Sequence, residues 1–119
     1  MSSRRTERIS GLLLETVAET LLREVKDPRV SAVTVTGVKL SPDLKAAKIF
    51  FTTRREDSVD EVLAGLRKAT GFIKRQVSSQ LRLRYIPDLE FLYDATLEKV
   101  NHLESLLRQA AEKEREPLA

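Results

Sequence analysis

Residues 62–87 combine residue types that bind phosphate groups. Six basic residues lie in this segment and no acidic one: Arg67, Lys68, Lys74, Arg75, Arg82 and Arg84. Surface helices usually alternate the sign of their charges to form i,i+4 pairs, so a solvated helix face is the weaker explanation of this pattern. A surface that attracts a polyanion is the stronger one, and the segment indicates contact with the phosphates of a nucleic acid.

Small residues in the middle of this basic segment predict a break between two amphipathic helices. The break is formed by Ala69, Thr70 and Gly71. Lys74 and Arg75 would then lie in the first turn of the second helix, where the helix dipole disfavours cations. A phosphate bound there would explain them, so this pair is the strongest RNA-binding candidate. Arg67 and Lys68 would end the first helix, where the dipole itself favours them.

A second group of cations lies at the N-terminus and consists of Arg4, Arg5 and Arg8. Two interpretations fit these residues equally well. They form a flexible arm that binds phosphates, or they only keep the chain soluble.

Catalytic and metal-binding patterns find little support in this sequence. The chain has no cysteine, and His102 is its single histidine, so thiolate sites, disulfides and histidine-based catalysis are disfavoured. The acidic residues Glu56, Asp57, Asp60 and Glu61 precede or begin a predicted helix, where capping and the helix dipole explain them. We therefore expect no enzyme, no metal site and no cofactor.

Length and composition indicate one domain. The chain has 119 residues and a net charge of +3. Neither a membrane-span pattern nor an apolar signal core is present, and the absence of cysteine fits a reducing compartment. We expect a soluble, cytoplasmic, monomeric protein with no membrane partner.

The first half of the sequence predicts a helix and a β-hairpin. An apolar stripe at Ile9, Leu13, Val17 and Leu21, with a second stripe beside it, predicts a helix over residues 6–26 that is covered on more than one side. Residues 32–40 form a strand whose alternation changes phase at Gly37, which predicts a bulge there. Residues 41–43 form a turn, and residues 44–53 form the second strand.

The second half predicts two helices, a strand and a tail helix. Ser58 and Glu61 form a capping box for the first of these helices. A strand follows Pro87, and an amphipathic helix starts near Thr96. Since an isolated helix of this length is marginal in water, we expect it to dock on the domain or on a partner.

The resulting order of helix, strand, strand, helix, helix, strand is that of the second KH-domain type. The sequence resembles the ribosome-binding factor A family from about residue 5 to residue 107. The matching segments are Arg5 and Arg8-Ile9, REVKDPR at 23–29, VTVTGV at 33–38, SPDL at 41–44, AxGFI at 69–73, LRLRYIPDL at 81–89, Phe91 and Asp94. KH domains usually carry a GxxG loop against the nucleic-acid backbone. Here Ala69-Thr70-Gly71 stands in place of that loop, as in the family, so we do not infer that this chain clamps four nucleotides as other KH domains do.

The resemblance implies an α+β domain that acts as a non-enzymatic assembly factor. It implies binding to the immature small ribosomal subunit and its rRNA, help with late maturation and rRNA end processing, and importance in the cold. We expect a KH-like RNA-binding domain over residues 1–94 and a C-terminal helix with a charged tail over residues 95–119. The alternative is a protein-interaction adaptor without direct RNA contact, which would use the tail helix and the sheet.

Overall fold

The computed structural model describes residues 4–115 of the chain, excepting the side chain of the last of them. Three helices and three strands are connected by short loops and one 3₁₀ turn. In chain order they are α1 Arg4–Arg23, the 3₁₀ turn Pro28–Val30, β1 Thr34–Leu40, β2 Ala46–Thr52, α2 Val59–Leu81, β3 Asp88–Tyr93 and α3 Thr96–Arg115.

The three strands form one mixed sheet in the order β1-β2-β3. β1 and β2 pair antiparallel as a hairpin, whereas β2 and β3 pair in parallel. A parallel pair needs a crossover connection, and α2 provides it. α1 and α2 pack together on one face of the sheet. Their shared core contains Leu13, Val17, Ile49, Phe51, Leu66, Ile73, Val77 and Phe91.

The predicted bulge at Gly37 is confirmed. The register of β1 against β2 shifts between Val35, which pairs with Phe51, and Gly37, which pairs with Phe50. Thr36 is therefore the extra residue of the bulged strand. The change of phase in the sequence has this physical cause, because one unpaired residue moves the side chains that follow to the opposite face.

The predicted α+β, KH-type fold is confirmed, but the predicted helix break is wrong. α2 runs without interruption through Ala69, Thr70 and Gly71. Gly71 keeps a negative φ, and Thr70 Oγ1 donates a hydrogen bond to the Leu66 carbonyl oxygen at 2.9 Å, one turn earlier. A glycine costs a helix only about 1 kcal/mol. The buried stripe of α2 continues on both sides of it, and its packing outweighs this cost.

α1 differs from its prediction in extent and in burial. It ends at Arg23, and the 3₁₀ turn that follows has Asp27 as its N-cap. The first apolar stripe is buried as expected. Leu22, which forms the second stripe with Leu14, Ala18 and Val25, is 77% exposed. The prediction that the helix is covered on several sides is therefore wrong for this part of α1.

α3 does not dock on the domain through its apolar side. Its exposed apolar residues are Leu97, Val100, Leu103, Leu106 and Leu107. No α3 residue belongs to the buried core within the described part of the chain. Docking on a partner remains a prediction. Within residues 4–115, no helix is long and apolar enough to span a membrane.

Candidate nucleic-acid interface

α2 separates an apolar face from a basic one. Ser58 caps its N-terminus by accepting a hydrogen bond from the Glu61 amide at 3.4 Å, which confirms the N-cap half of the predicted capping box. Val62, Leu66, Ile73 and Val77 then follow at helical spacing and are buried against the sheet and α1. This anchoring turns the basic residues of α2 toward solvent, because they lie on the opposite side of the helix.

The centre of the basic face of α2 is flat. Arg67, Gly71 and Arg75 are spaced at i, i+4 and i+8, so they form one ridge on the helix surface. All three are exposed. A Cβ added at Gly71 would meet only Arg75 Nη1, at 3.8 Å. The glycine therefore adds no side chain between the helix backbone and a partner, and the Arg75 guanidinium lies next to this position.

Lys74 is not in a helix N-terminal turn, and this part of the prediction is wrong. Because α2 is continuous, Lys74 and Arg75 lie in its interior, and the dipole argument does not apply to them. Lys74 Nζ forms an ion pair with Asp88 Oδ1 at 3.1 Å and links α2 to the start of β3. The guanidinium of Arg75 lies 5.9 Å from the centroid of the Phe72 ring. Arg75 is thus the better oriented of the two for an external anion.

Arg67 and Lys68 also lie inside α2 and do not end a helix, contrary to the prediction. Lys68 lines a surface depression of about 440 Å³ together with Glu24 and Asp27. Its charge is partly offset by these acidic neighbours. Arg67 is exposed and, within residues 4–115, has no ion-pair partner.

Two groups of cations that are distant in the sequence meet at one end of the domain. Arg5 and Arg8 of α1 line an open cleft of about 380 Å³ with Arg82, the C-cap of α2. Within the part of the chain that the structure describes, none of the three arginines pairs with a carboxylate. The cleft, which we call the arginine cleft, also has apolar walls formed by Ile9, Leu12, Leu81 and Leu83.

The chain beyond the arginine cleft presents an arginine and a tyrosine. Arg84 places its guanidinium 5.4 Å from the ring centroid of Tyr85, and the tyrosine is 67% exposed. Arg4 is exposed in the first turn of α1 but does not line the cleft. The structure therefore brings Arg5, Arg8 and Arg82 together and leaves Arg67 and Arg75 as a separate surface on α2.

Several residues of this architecture are not among the candidates predicted from the sequence. Lys39 and Lys48 are exposed register partners on the open face of the sheet, and Glu90 is the partner of Lys48 on β3. Alternation with the buried Ala47 and Ile49 is the signal that directs Lys48 to solvent. Tyr85 belongs only to a segment that matches the family, and Gly65 follows no pattern of charge or periodicity that would predict its role.

Gly65 and Asp27 fix the 3₁₀ turn against α2. A Cβ at Gly65 would lie 3.0 Å from Val30 Cγ1 and 3.3 Å from Arg29 Cβ, so the glycine permits close packing. Asp27 accepts hydrogen bonds from the Arg29 amide at 2.9 Å and from Arg29 Nη2 at 2.6 Å. These bonds lower the pKa of Asp27 to about 2, and nearby Lys68 adds a smaller effect. This packing holds the turn beside the first half of the basic face.

A groove of mixed polar and apolar lining lies between α3 and the ends of the strands. Thr53, Arg55, Tyr93 and His102 are among its lining residues. Tyr93 donates a hydrogen bond from its hydroxyl group to Glu98 Oε1. Residues 4–115 contain no cluster of three or more histidine, cysteine, aspartate or glutamate side chains suited to a metal ion.

Comparison with known proteins places this arrangement in a family. The family model described as ribosome-binding factor A matches residues 5–107. The chain belongs to the ribosome-binding factor A family. The match includes α1, the sheet, α2 and the first half of α3. Curated family members include the Syntrophus aciditrophicus protein, 44% identical over 107 residues that make up 89% of this chain and 87% of that protein. A Coxiella burnetii member is 38% identical over 112 residues, 94% of each chain.

Solved structures of the family have the same fold. The crystal structure of ribosome-binding factor A from Thermus thermophilus aligns with a TM-score of 0.67 and 26% identity over 73% of this chain and 93% of that one. A second Thermus thermophilus structure, a homology model fitted into a cryo-EM map of a 30S–RbfA complex, aligns with a TM-score of 0.60 and 28% identity. It covers 71% of this chain and 90% of that one.

Proposed function

We propose that this protein binds the immature small ribosomal subunit through its rRNA and assists late maturation and processing of the rRNA ends. The observation that carries the proposal is the set of arginines without carboxylate partners on α2 and in the arginine cleft, within residues 4–115. Family membership supports it, as does the Thermus thermophilus neighbour, which was fitted as part of a 30S complex.

The mechanism is stoichiometric and needs no cofactor. Arginine donates up to five hydrogen bonds in a planar array that matches phosphate oxygens, and it is always charged at neutral pH. Arg67 and Arg75 grip backbone phosphates on either side of Gly71, whose bare surface lets the RNA backbone lie close to the helix. By holding one RNA conformation, the protein favours it over misfolded alternatives. It acts as a cytoplasmic monomer and is not an enzyme.

Charge reversal on α2 tests the proposal. The variant Arg67→Glu/Arg75→Glu should bind small subunits from a deletion strain at least about tenfold more weakly in sedimentation assays, because two phosphate contacts become repulsive. Arg23→Glu/Lys45→Glu changes the charge equally at exposed positions outside α2 and is the matched control. Equal binding by both folded variants would remove this face of α2 from the mechanism.

The adaptor alternative is favoured by one observation, the exposed apolar side of α3. Salt dependence separates the two functions. Phosphate contacts release counterions, so log affinity should fall with log salt by about 0.7 to 0.9 per phosphate, whereas an apolar interface does not lose affinity in this way. Subunit binding that is insensitive to salt would support the adaptor.

A further inference from the structure

The arginine cleft differs chemically from the basic face of α2. It combines three guanidinium groups, from Arg5, Arg8 and Arg82, with apolar walls. Its volume of about 380 Å³ lies in the lower part of the range of ligand pockets. A bound inorganic anion would leave the apolar walls unused. A double helix would also leave them unused, because its phosphates face outward and its bases are stacked inside.

Arg82 occupies a backbone conformation that favours glycine. Its φ of 48° and ψ of 41° place it in the left-handed region, at the C-cap of α2. Glycine adopts this conformation without a Cβ clash and is the common choice after a helix end. An arginine in such a position is strained, and strained residues concentrate at functional sites. The conformation directs the chain so that Arg82 lines the cleft together with Leu81 and Leu83.

Tyr85 adds a surface on which a base can stack. It follows the wall residue Leu83 by two positions and is 67% exposed. The guanidinium of Arg84 lies over one face of its ring at 5.4 Å, so a base can stack on the opposite face of the ring or on the guanidinium. Unpaired bases stack on both kinds of group, whereas the bases of a duplex are inaccessible to them.

We propose that the arginine cleft binds an unpaired segment of RNA, with phosphates held by Arg5, Arg8 and Arg82 and a base stacked on Tyr85. This rests on the RNA binding proposed above and assigns the single-stranded part of it to one end of the domain. The basic face of α2, which has a flat centre at Gly71, then contacts backbone elsewhere on the RNA.

Fluorescence anisotropy with two probes tests the assignment. The probes are fluorescein-labelled octauridylate, which is unpaired, and a fluorescein-labelled blunt-ended RNA duplex long enough to stay paired at the assay temperature. We expect Arg5→Gln/Arg8→Gln to bind octauridylate at least about tenfold more weakly, with a salt slope smaller by about 1.4. We expect Tyr85→Ala to lose about 5- to 150-fold and Tyr85→Phe to bind as the wild type, because the phenylalanine ring still stacks.

The matched control is Arg23→Gln/Lys45→Gln, which removes two exposed charges outside the arginine cleft and outside α2. It should keep octauridylate affinity within about threefold of the wild type, whereas Arg67→Gln/Arg75→Gln should lose affinity for the duplex. Arg82→Gly should weaken octauridylate binding without lowering the melting temperature, because glycine suits the left-handed position. All substituted side chains are exposed, and melting temperatures check that each variant is folded.

Three results would overturn the inference. They are a wild-type protein that does not bind octauridylate, a Tyr85→Ala variant with unchanged affinity, and a control variant that loses as much as the cleft variant. Small-subunit binding, measured in parallel, separates this failure from that of the proposed function. A protein that binds subunits through Arg67 and Arg75 but fails the octauridylate test keeps its function and loses only this assignment.

Discussion

Thr36 donates a hydrogen bond from its Oγ1 to Asp94 Oδ2 at 2.7 Å, although 58 positions separate them in the chain. Thr36 is the extra residue of the β1 bulge, and Asp94 Oδ1 accepts a hydrogen bond from the Thr96 amide at 2.9 Å at the start of α3. A side-chain hydrogen bond from Thr96 lowers the pKa of Asp94 most, and the bonds from Thr36 and from the Thr96 amide lower it further. The bulge thus supports the carboxylate that begins the C-terminal helix.

Removal of this carboxylate should loosen α3 selectively. In Asp94→Ala, the Thr96 amide loses its acceptor, and we expect amide hydrogen exchange in the first turn of α3 to become several-fold faster. Thr36→Val removes one of the two bonds and should have a smaller effect. Exchange in β2 and α2 should stay near the wild-type rate, since α3 contributes nothing to their core in the described residues. Equal loosening of the whole domain would contradict this role.

The two glycines of α2 should respond in opposite ways to alanine. Gly71→Ala meets no obstacle and should stabilise the protein by up to about 1 kcal/mol through its helix propensity. Gly65→Ala places a Cβ 3.0 Å from the fully buried Val30 side chain and should destabilise by about 1–3 kcal/mol. Urea unfolding of the two variants measures both values. Gly71→Ala should be more stable than Gly65→Ala. The reverse order would mean that the 3₁₀ turn shifts to accommodate the added Cβ at little cost.

The same substitution at Gly71 also probes function. If the bare surface of the helix admits an RNA backbone, Gly71→Ala should bind small subunits more weakly while it melts at a higher temperature. Unchanged binding would limit Gly71 to a tolerated position in the helix.

The ion pair of Asp27 with Arg29 predicts a loss of stability in acid. The folded pKa of Asp27 is about 2, below its ordinary value of 3.8. A depressed folded pKa stabilises the protein fully above the unfolded pKa, and this contribution is lost as the pH falls from about 4 toward 2. The free energy of unfolding of the wild type should therefore approach that of Asp27→Asn over this interval. A constant difference between the two proteins down to pH 2 would contradict the assignment.

Local features of the fold could be predicted from the sequence, while long-range ones could not. The change of alternation at Gly37 and the cap at Ser58 depend on neighbouring residues, and both predictions are confirmed. The break at Ala69-Thr70-Gly71 failed because local propensity was outweighed by a buried stripe, from Val62 to Val77, that continues across it. The ranking of Lys74 above Arg67 assumed a helix end that is absent from α2, so which of these cations bind RNA stays a prediction.

The arginine cleft could not be predicted from the sequence segments taken one at a time. Arg5 and Arg82 are far apart in the chain, and they meet because α1 and α2 pack side by side on the sheet. The sequence predicted two separate basic groups, and no residue pattern indicated that they are adjacent in the fold. Likewise, the ion pair of Lys74 with Asp88 depends on how α2 crosses over to β3. Such relationships follow from topology, which residue spacing alone does not determine.

We propose that residues 1–94 fold independently of α3. A chain that ends at Asp94 should keep a cooperative unfolding transition, with a melting temperature within about 5 °C of the full chain, equivalent to ~1 kcal/mol for a domain of this size. A chain that ends at Pro87 is the control, because it lacks β3 and the buried Phe91 and should not fold. Circular dichroism measures both. Loss of folding in the longer fragment would make α3 part of the folding unit.

Cells that lack this protein should accumulate free small subunits containing rRNA with unprocessed ends, most severely in the cold. Low temperature stabilises misfolded RNA helices, so a factor that captures the correct conformation is needed most under that condition. The gene for Arg67→Glu/Arg75→Glu should fail to restore normal subunit profiles, whereas Arg23→Glu/Lys45→Glu should restore them, because only the former reverses charge on the proposed RNA-binding face of α2. Sucrose-gradient profiles and mapping of the rRNA ends at low temperature measure the outcome. Normal profiles and mature ends in the deletion strain would eliminate the assembly role and favour the adaptor function of α3.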